Sequence, residues 1–188
     1  MSSMEQSSME HMETAILAGG CFWCLEASFL QVKGVVSAVS GYTGGKTINP
    51  SYKEVCEGVS GHAEAVKIEF NPDIIAFEDI LEIFFFIHDP TTLNRQGNDI
   101  GTQYRSAIFY NGLKQKKTAK DFIKRLEDEK IYSSPIVTRL EPASIFYKAE
   151  DYHQNYYNNN PLAPYCSAVV GPKVKKFEKK FEKSLKDK

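Results

Sequence analysis

The chain carries a single tryptophan and only four cysteines in 188 residues, and its charges nearly cancel, to a formal net −1. So balanced a charge leaves no electrostatic footprint for nucleic acid. No apolar run approaches the roughly 20 residues a membrane-spanning helix needs. Residues 1–13 lack a basic stretch followed by an apolar one, so no secretory signal is expected. Four cysteines without export suggest a reducing, cytoplasmic setting, where they are more often catalytic, redox-active or metal-bound than structural. Methionine is missing beyond residue 12: all four stand at Met1, Met4, Met9 and Met12. The rest of that stretch is polar and aperiodic, and 1–13 reads as a disordered tail.

What is present is one domain's worth of ordinary globular composition, without repeats or a dividing linker. It is organised around Gly19-Gly20-Cys21-Phe22-Trp23-Cys24-Leu25-Glu26. Ala15–Ala18 reads as a short buried strand that the two glycines break. Phe22, Leu25, Phe29 and Leu30 come next at helical spacing. Cys21 is thus expected at a helix N-terminus, where free N–H groups and the helix dipole favour a thiolate.

Further strands are expected at 34–41, 62–70, 104–110 and 136–140, and helices at 77–87, 114–130, 146–157 and 173–188. Gly41–Thr47 is a near miss for a phosphate-binding loop: Ser40 stands where that motif needs glycine, and Asn49-Pro50 blocks the helix whose N-terminus would hold the phosphate. Residues 51–61 read as continued loop. In the 62–70 strand, alternation places Glu64 on the same face as Val66, Ile68 and Phe70. A carboxyl group there is partly desolvated, its pKa rises, and it becomes a plausible proton donor. The long polar stretch from His88 to Gln103, flanked by firm elements, reads as a site loop.

Several motifs together resemble one family. Gly-Cys-Phe-Trp at 20–23, Gly-His-Ala-Glu at 61–64, His-Asp-Pro-Thr at 88–91, Asn-Arg-Gln-Gly-Asn-Asp at 94–99, Gly-Thr-Gln-Tyr-Arg-Ser at 101–106 and Tyr-His-Gln at 152–154 look like A-type peptide methionine sulfoxide reductase. The resemblance runs from about Ala15 to about Pro172. It implies an α+β fold, a mixed sheet with packed helices in a ferredoxin-like two-layer sandwich with long site loops. It also implies reduction of the S epimer of methionine sulfoxide, free or in oxidised proteins. By resemblance Cys21 is the nucleophile, Phe22 and Trp23 hold the substrate methyl group, and Glu64 protonates the sulfoxide oxygen. Tyr52 and Tyr104 hydrogen-bond that oxygen, Asp99 arranges the site, and Cys166 resolves the oxidised nucleophile. Cys24 stands where many members have glycine and is the alternative resolving thiol. The implied unit spans 14–172, with a lysine-rich amphipathic helix at 173–188. The implied reductant is thioredoxin, or dithiothreitol in its place, with no metal or organic cofactor, no nucleic acid or membrane partner, and a monomeric state.

The chemistry asks for the same parts. A sulfoxide sulfur becomes electrophilic once its oxygen is protonated, so the reaction needs a soft nucleophile, an acid and an apolar wall. Two other readings compete. His62-Ala63-Glu64 with Cys21-x-x-Cys24 echoes a zinc deaminase site, but in reversed order and without the proline. Cys21-x-x-Cys24 alone suits a thioredoxin-like oxidoreductase, which leaves Glu64, Tyr52 and Tyr104 without a role. Of the non-enzymatic readings, a module that only recognises oxidised methionine gives a reactive thiol nothing to do.

Overall fold

The structure, a computed structural model, describes residues 11–188. The expected tail lies outside it as far as residue 10, and its last residue, Glu13, already belongs to a strand. In chain order the elements are β1 (Glu13–Gly19), α1 (Phe22–Phe29), β2 (Val35–Thr43), α2 (Tyr52–Cys56), β3 (Ala63–Phe70) and α3 (Phe77–Ile87). Then come β4 (Arg95–Gln96), β5 (Asp99–Ile100), β6 (Ser106–Tyr110), α4 (Gly112–Asp128), β7 (Arg139–Pro142), β8 (Tyr147–Lys148), α5 (Tyr156–Asn159) and α6 (Gly171–Lys180).

Six strands form one mixed sheet in the order β7-β6-β1-β3-β2-β8, with only β6 and β7 parallel. Its inner four strands, β6-β1-β3-β2, are joined as βαββαβ through α1 and α3, the ferredoxin-like split βαβ arrangement. Strand alternation explains the layers. Ala15 and Leu17 of β1 share the helix-side core with Val66, Ile68 and Phe70 of β3. Ile16, Ala18, Ala63, Ala65, Ala107 and Phe109 occupy the other face, where Ala143 and Phe146 cover them. Each large apolar side chain so buried contributes about 1.5–3 kcal/mol.

The antiparallel register also places the chemistry. Leu17 of β1 pairs with Val66 of β3. Two residues further along β1, and two back along β3, lie Gly19 and Glu64, at the same end of the sheet. The chain leaving Gly19 therefore emerges beside Glu64.

Four expectations are corrected. Residues 146–157 are not one helix: Tyr147 and Lys148 form an edge strand on β2, a 3-10 turn covers Asp151–His153, and only Tyr156–Asn159 is helical. Tertiary pairing overrides the local pattern here. Gly41 accepts the edge strand because the Tyr147 carbonyl and the Phe146 ring lie about 2.5 Å from where its side chain would stand. The strand expected at 136–140 lies at Arg139–Pro142. The lysine-rich helix is shifted: a π-helical turn at Cys166–Val170 leads into α6, which opens with Pro172 in its first turn and ends at Lys180. A 3-10 turn, Glu182–Ser184, completes the chain's return to Val32, which bridges Leu185. Finally, the loop expected at 51–61 contains α2, whose capping box Ser51-x-x-Glu54 was legible as sequence: Ser51 Oγ accepts from Glu54 N–H at 3.2 Å, and Glu54 Oε2 accepts from Ser51 N–H at 2.7 Å. Among the described residues no helix is long and apolar enough to cross a membrane.

Candidate active site

Cys21 is the N-cap of α1, with extended backbone angles of −59° and 123°. It gets there because Gly20 adopts a φ of +89°, which a side chain would strain. A Cβ at Gly20 would also stand 2.6 Å from Gln96 Cγ, so β4 packs directly on this turn. Gln96 is fixed in turn by two bonds with the backbone of Asp89. Behind the turn, a Cβ at Gly19 would meet the His88 ring at 2.9 Å. His88 Nδ1 lies 2.6 Å from the Phe84 carbonyl and must donate to it, so Nε2 accepts from Ser106 Oγ at 2.7 Å. Burial holds this histidine's pKa down to about 4, so the support stays neutral.

The cleft at Cys21 has a volume of about 260 Å³ and is lined by Cys21, Phe22, Trp23, Tyr52, Glu64, Asp99, Tyr104 and Tyr165. Seven of these are the residues expected from sequence; Tyr165 is an addition. Its hydroxyl donates to Asp99 Oδ2, so β5 and the approach to α6 meet over the nucleophile. Nothing in the sequence marks Tyr165 except its place beside Cys166; its backbone is helical and runs straight into the π-helical turn. Tyr52 is set by the α2 capping box and Tyr104 by the 3-10 turn Thr102–Tyr104. Gln103 Nε2 donates to the Cys56 carbonyl at 3.2 Å, tying those two elements together. Burial pushes both phenols up, so they stay hydrogen-bond donors.

Glu64 is 2 % exposed. Burial pushes its carboxyl group up to about 8; the Phe22 N–H, donating at 3.3 Å, pulls it back, and the charge of Asp99 adds to the rise. At neutral pH it is mostly a neutral acid. The first free N–H of α1 is therefore spent on Glu64. This corrects the expectation of a low-pKa thiol at Cys21. Burial, the hydrogen bond its S–H makes to Cys24 and the neighbouring Glu64 charge push Cys21 well above the ordinary thiol range, outweighing the Trp23 N–H. Cys24 is shifted the other way, first by accepting that bond and further by the Lys173 charge.

The remaining sulfurs divide clearly. Cys166 is fully buried in a cluster with Cys24, Ala27, Val170 and Val174. It lies in the π-helical turn, not in the irregular segment before it. Cys56 is exposed at the end of α2. The zinc-like reading fails at His62, whose ring nitrogens are both occupied: Nδ1 accepts from Gly45 N–H at 2.9 Å and Nε2 donates to the Thr47 carbonyl at 2.7 Å.

A thiol facing a neutral acid across an apolar wall suits one kind of work, removal of an oxygen that the acid protonates. That is the class of thiol-dependent oxidoreductases. A family model described as peptide methionine sulfoxide reductase matches residues 13–185. The chain belongs to that family. It is 54 % identical over 182 residues to the peptide methionine sulfoxide reductase MsrA of Polynucleobacter asymbioticus, covering 97 % of this chain and 96 % of the relative. The fold matches methionine sulfoxide reductase A of Corynebacterium diphtheriae with a TM-score of 0.77 at 37 % identity, over 81 % of this chain and 77 % of that one. It also matches Mxr1 of Saccharomyces cerevisiae in complex with Trx2, with a TM-score of 0.55 at 27 % identity, over 78 % of this chain and 86 % of that one. The α+β, ferredoxin-like expectation and the family expectation are both borne out.

Proposed function

We propose that this cleft reduces the S epimer of methionine sulfoxide, free or in oxidised proteins, with a distinct role for each side chain. The observation that carries the reading is the buried, neutral Glu64 beside Cys21. The Tyr52 and Tyr104 hydroxyls receive the sulfoxide oxygen and Glu64 protonates it. Phe22 and Trp23 accept the methyl group, which fixes the face of sulfur presented to Cys21. Cys21 sulfur attacks the substrate sulfur; its proton returns to Glu64. The oxygen passes to Cys21, leaving a sulfenic acid, and the substrate departs as a thioether. Asp99 holds the Tyr165 hydroxyl over this reaction.

The sulfenic acid then condenses with a second thiol, releasing water. Resemblance points to Cys166, but Cys24 is the thiol that accepts a hydrogen bond from Cys21, and Cys166 lies in the same buried cluster as Cys24. Because Cys21 caps α1 with extended angles, a bridge to Cys24 does not have to fit a regular helical turn. The reading this favours is a Cys21–Cys24 disulfide first, with Cys166 able to exchange onto Cys24. A thioredoxin-type dithiol completes the cycle; the Trx2 complex of the yeast relative supports that partner. No prosthetic group enters the scheme. The test is single-epimer turnover with dithiothreitol: consumption of only the S sulfoxide supports the reading, and equal consumption of both epimers removes it.

A further inference from the structure

Trp23 forms the outer wall of the cleft, and its own helix does not hold it there. Its indole stacks on Tyr156 with ring centroids 3.9 Å apart and planes 14° apart. Its Nε1–H donates to His153 Nδ1 at 3.2 Å. Both partners belong to the segment 149–157. The His153 ring also packs on Phe22 at 5.1 Å and on Tyr52 at 4.4 Å, so the segment backs the wall along its length.

That segment is held by polar bonds to buried partners. Asn155, between His153 and Tyr156, turns the chain with a φ of 54°, a left-handed conformation that asparagine accepts. Its N–H donates to Glu26 Oε1. Glu26 Oε2 accepts from Ser40 Oγ of β2 at 2.8 Å. Gln154 binds the Ser40 backbone through both ends of its amide, at 3.1 and 2.9 Å. Glu26 is 2 % exposed in the interior of α1, a place that packing alone would fill with an apolar residue. A buried carboxyl group is costly, and this one spends both oxygens on elements outside its own helix. It lies one helical turn after Trp23, so α1 supplies the wall and also the anchor of the segment that braces it.

We propose that Glu26 is a positioning residue that sets the width of the methyl pocket by holding Asn155, and through it His153 and Tyr156, against the Trp23 indole. The proposal rests on the reading of Trp23 as the methyl wall. Loosening the clamp lets the indole swing outward, and the pocket then admits a longer alkyl group. A hydrophobic pocket distinguishes one methylene by about 10–200-fold. Losing the brace is expected to lower the preference for methionine sulfoxide over ethionine sulfoxide, as the ratio of kcat/KM values, by about three- to tenfold.

Trp23 is the only tryptophan, so its fluorescence reports the wall directly. Glu26→Ala is measured for emission, far-UV circular dichroism and selectivity between the two sulfoxides with dithiothreitol. Emission shifted to longer wavelength in a folded protein, with reduced selectivity, is the expected result. Glu26→Gln should restore both, because its amide oxygen can accept from Asn155 while its NH₂ group donates to Ser40 Oγ. Where Glu26→Ala does not fold, Glu26→Asp, one methylene shorter, should move both readouts in the same direction. Wild-type emission and selectivity in a folded Glu26→Ala or Glu26→Asp protein overturns the proposal, as does a Glu26→Gln protein as impaired as Glu26→Ala. Emission that moves while selectivity keeps its wild-type ratio overturns the methyl-wall reading of Trp23 and leaves the clamp in place.

Discussion

At Glu64 the sheet turns an ordinary carboxyl group into an acid for neutral pH. With its pKa pushed up to about 8, turnover that needs the protonated form is expected to fall as pH rises through about 8. Glu64→Gln keeps shape and hydrogen bonding but transfers no proton. It should cost about 10²–10⁴-fold in kcat near pH 7 and abolish the alkaline limb, both read from a pH–rate profile. The same shift acts on stability. A carboxyl whose folded pKa is raised binds its proton more tightly when folded. Its contribution is complete below the unfolded value of about 4.5 and is lost as pH rises toward 8. Glu64→Gln should therefore raise Tm more at pH 8.5 than at pH 5, and a calorimetric scan at the two pH values decides it. At Cys21, substitution by serine should eliminate sulfoxide reduction with the fold intact, since a hydroxyl is a far weaker nucleophile. Any turnover retained by purified Cys21→Ser would remove Cys21 from the mechanism.

At the scale of elements, the site is a meeting of ends: the β1–α1 turn, the start of β3, the capped α2, the β4–β5 hairpin and the run into α6. The Gly20 turn is a tight joint. Gly20→Ala forces a side chain into φ +89° and against Gln96, so it should destabilise by about 1–3 kcal/mol. It should also lower kcat by moving Cys21 relative to Glu64. Urea unfolding paired with steady-state kinetics would show both losses, and a variant with unchanged kinetics would mean the hairpin yields without disturbing the thiol. The thiol series runs through α1 into the π-helical turn. One equivalent of sulfoxide without reductant should give Cys21–Cys24 as the first disulfide in rapidly quenched peptide maps, with Cys24–Cys166 appearing later. A Cys21–Cys166 bridge as the earliest species would return the resolving role to Cys166 directly. Cys56, exposed at the end of α2 and outside the buried thiol cluster, should remain a free thiol throughout.

Across the whole molecule, the methionine distribution matters: none occurs beyond residue 12. An enzyme exposed to oxidants thus has no thioether in its sheet or helix layer to lose. Peroxide treatment that oxidises Met4, Met9 and Met12, followed by thiol reduction, should leave Tm unchanged. Under turnover with dithiothreitol, mass spectrometry should show those S sulfoxides reverting, since the chain is then its own substrate in cis or between copies. A lasting drop in Tm would mean the damage reaches the fold through other side chains.

Much of this was determined by sequence alone, because it depends on neighbours in the chain. The Gly-Gly-Cys turn, the amphipathic stripe of α3 and the alternation that turns Glu64 inward are all local, and local periodicity reports burial directly, whereas α1 is buried on nearly every side. The capping box at Ser51 is an equally local signal, though residues 51–61 read as loop and α2 emerges only in the structure. What only the tertiary structure decided concerns groups brought together from distant segments. Burial and Glu64 outweigh the helix terminus at Cys21, so the thiol is raised where the local pattern alone predicts lowering. Tyr147 and Lys148 pair with the edge of β2 instead of following a helical pattern, because pairing with Gly41 and Tyr42 satisfies backbone groups that β2 would otherwise leave open. His153 and Asn155 reach the site from a short 3-10 turn and the left-handed residue after it, and Tyr165 from the turn before the π-helix, segments too short for a period to mark which side chains turn inward. A buried carboxyl such as Glu26 takes its meaning from the donors that meet it, and those lie on other elements.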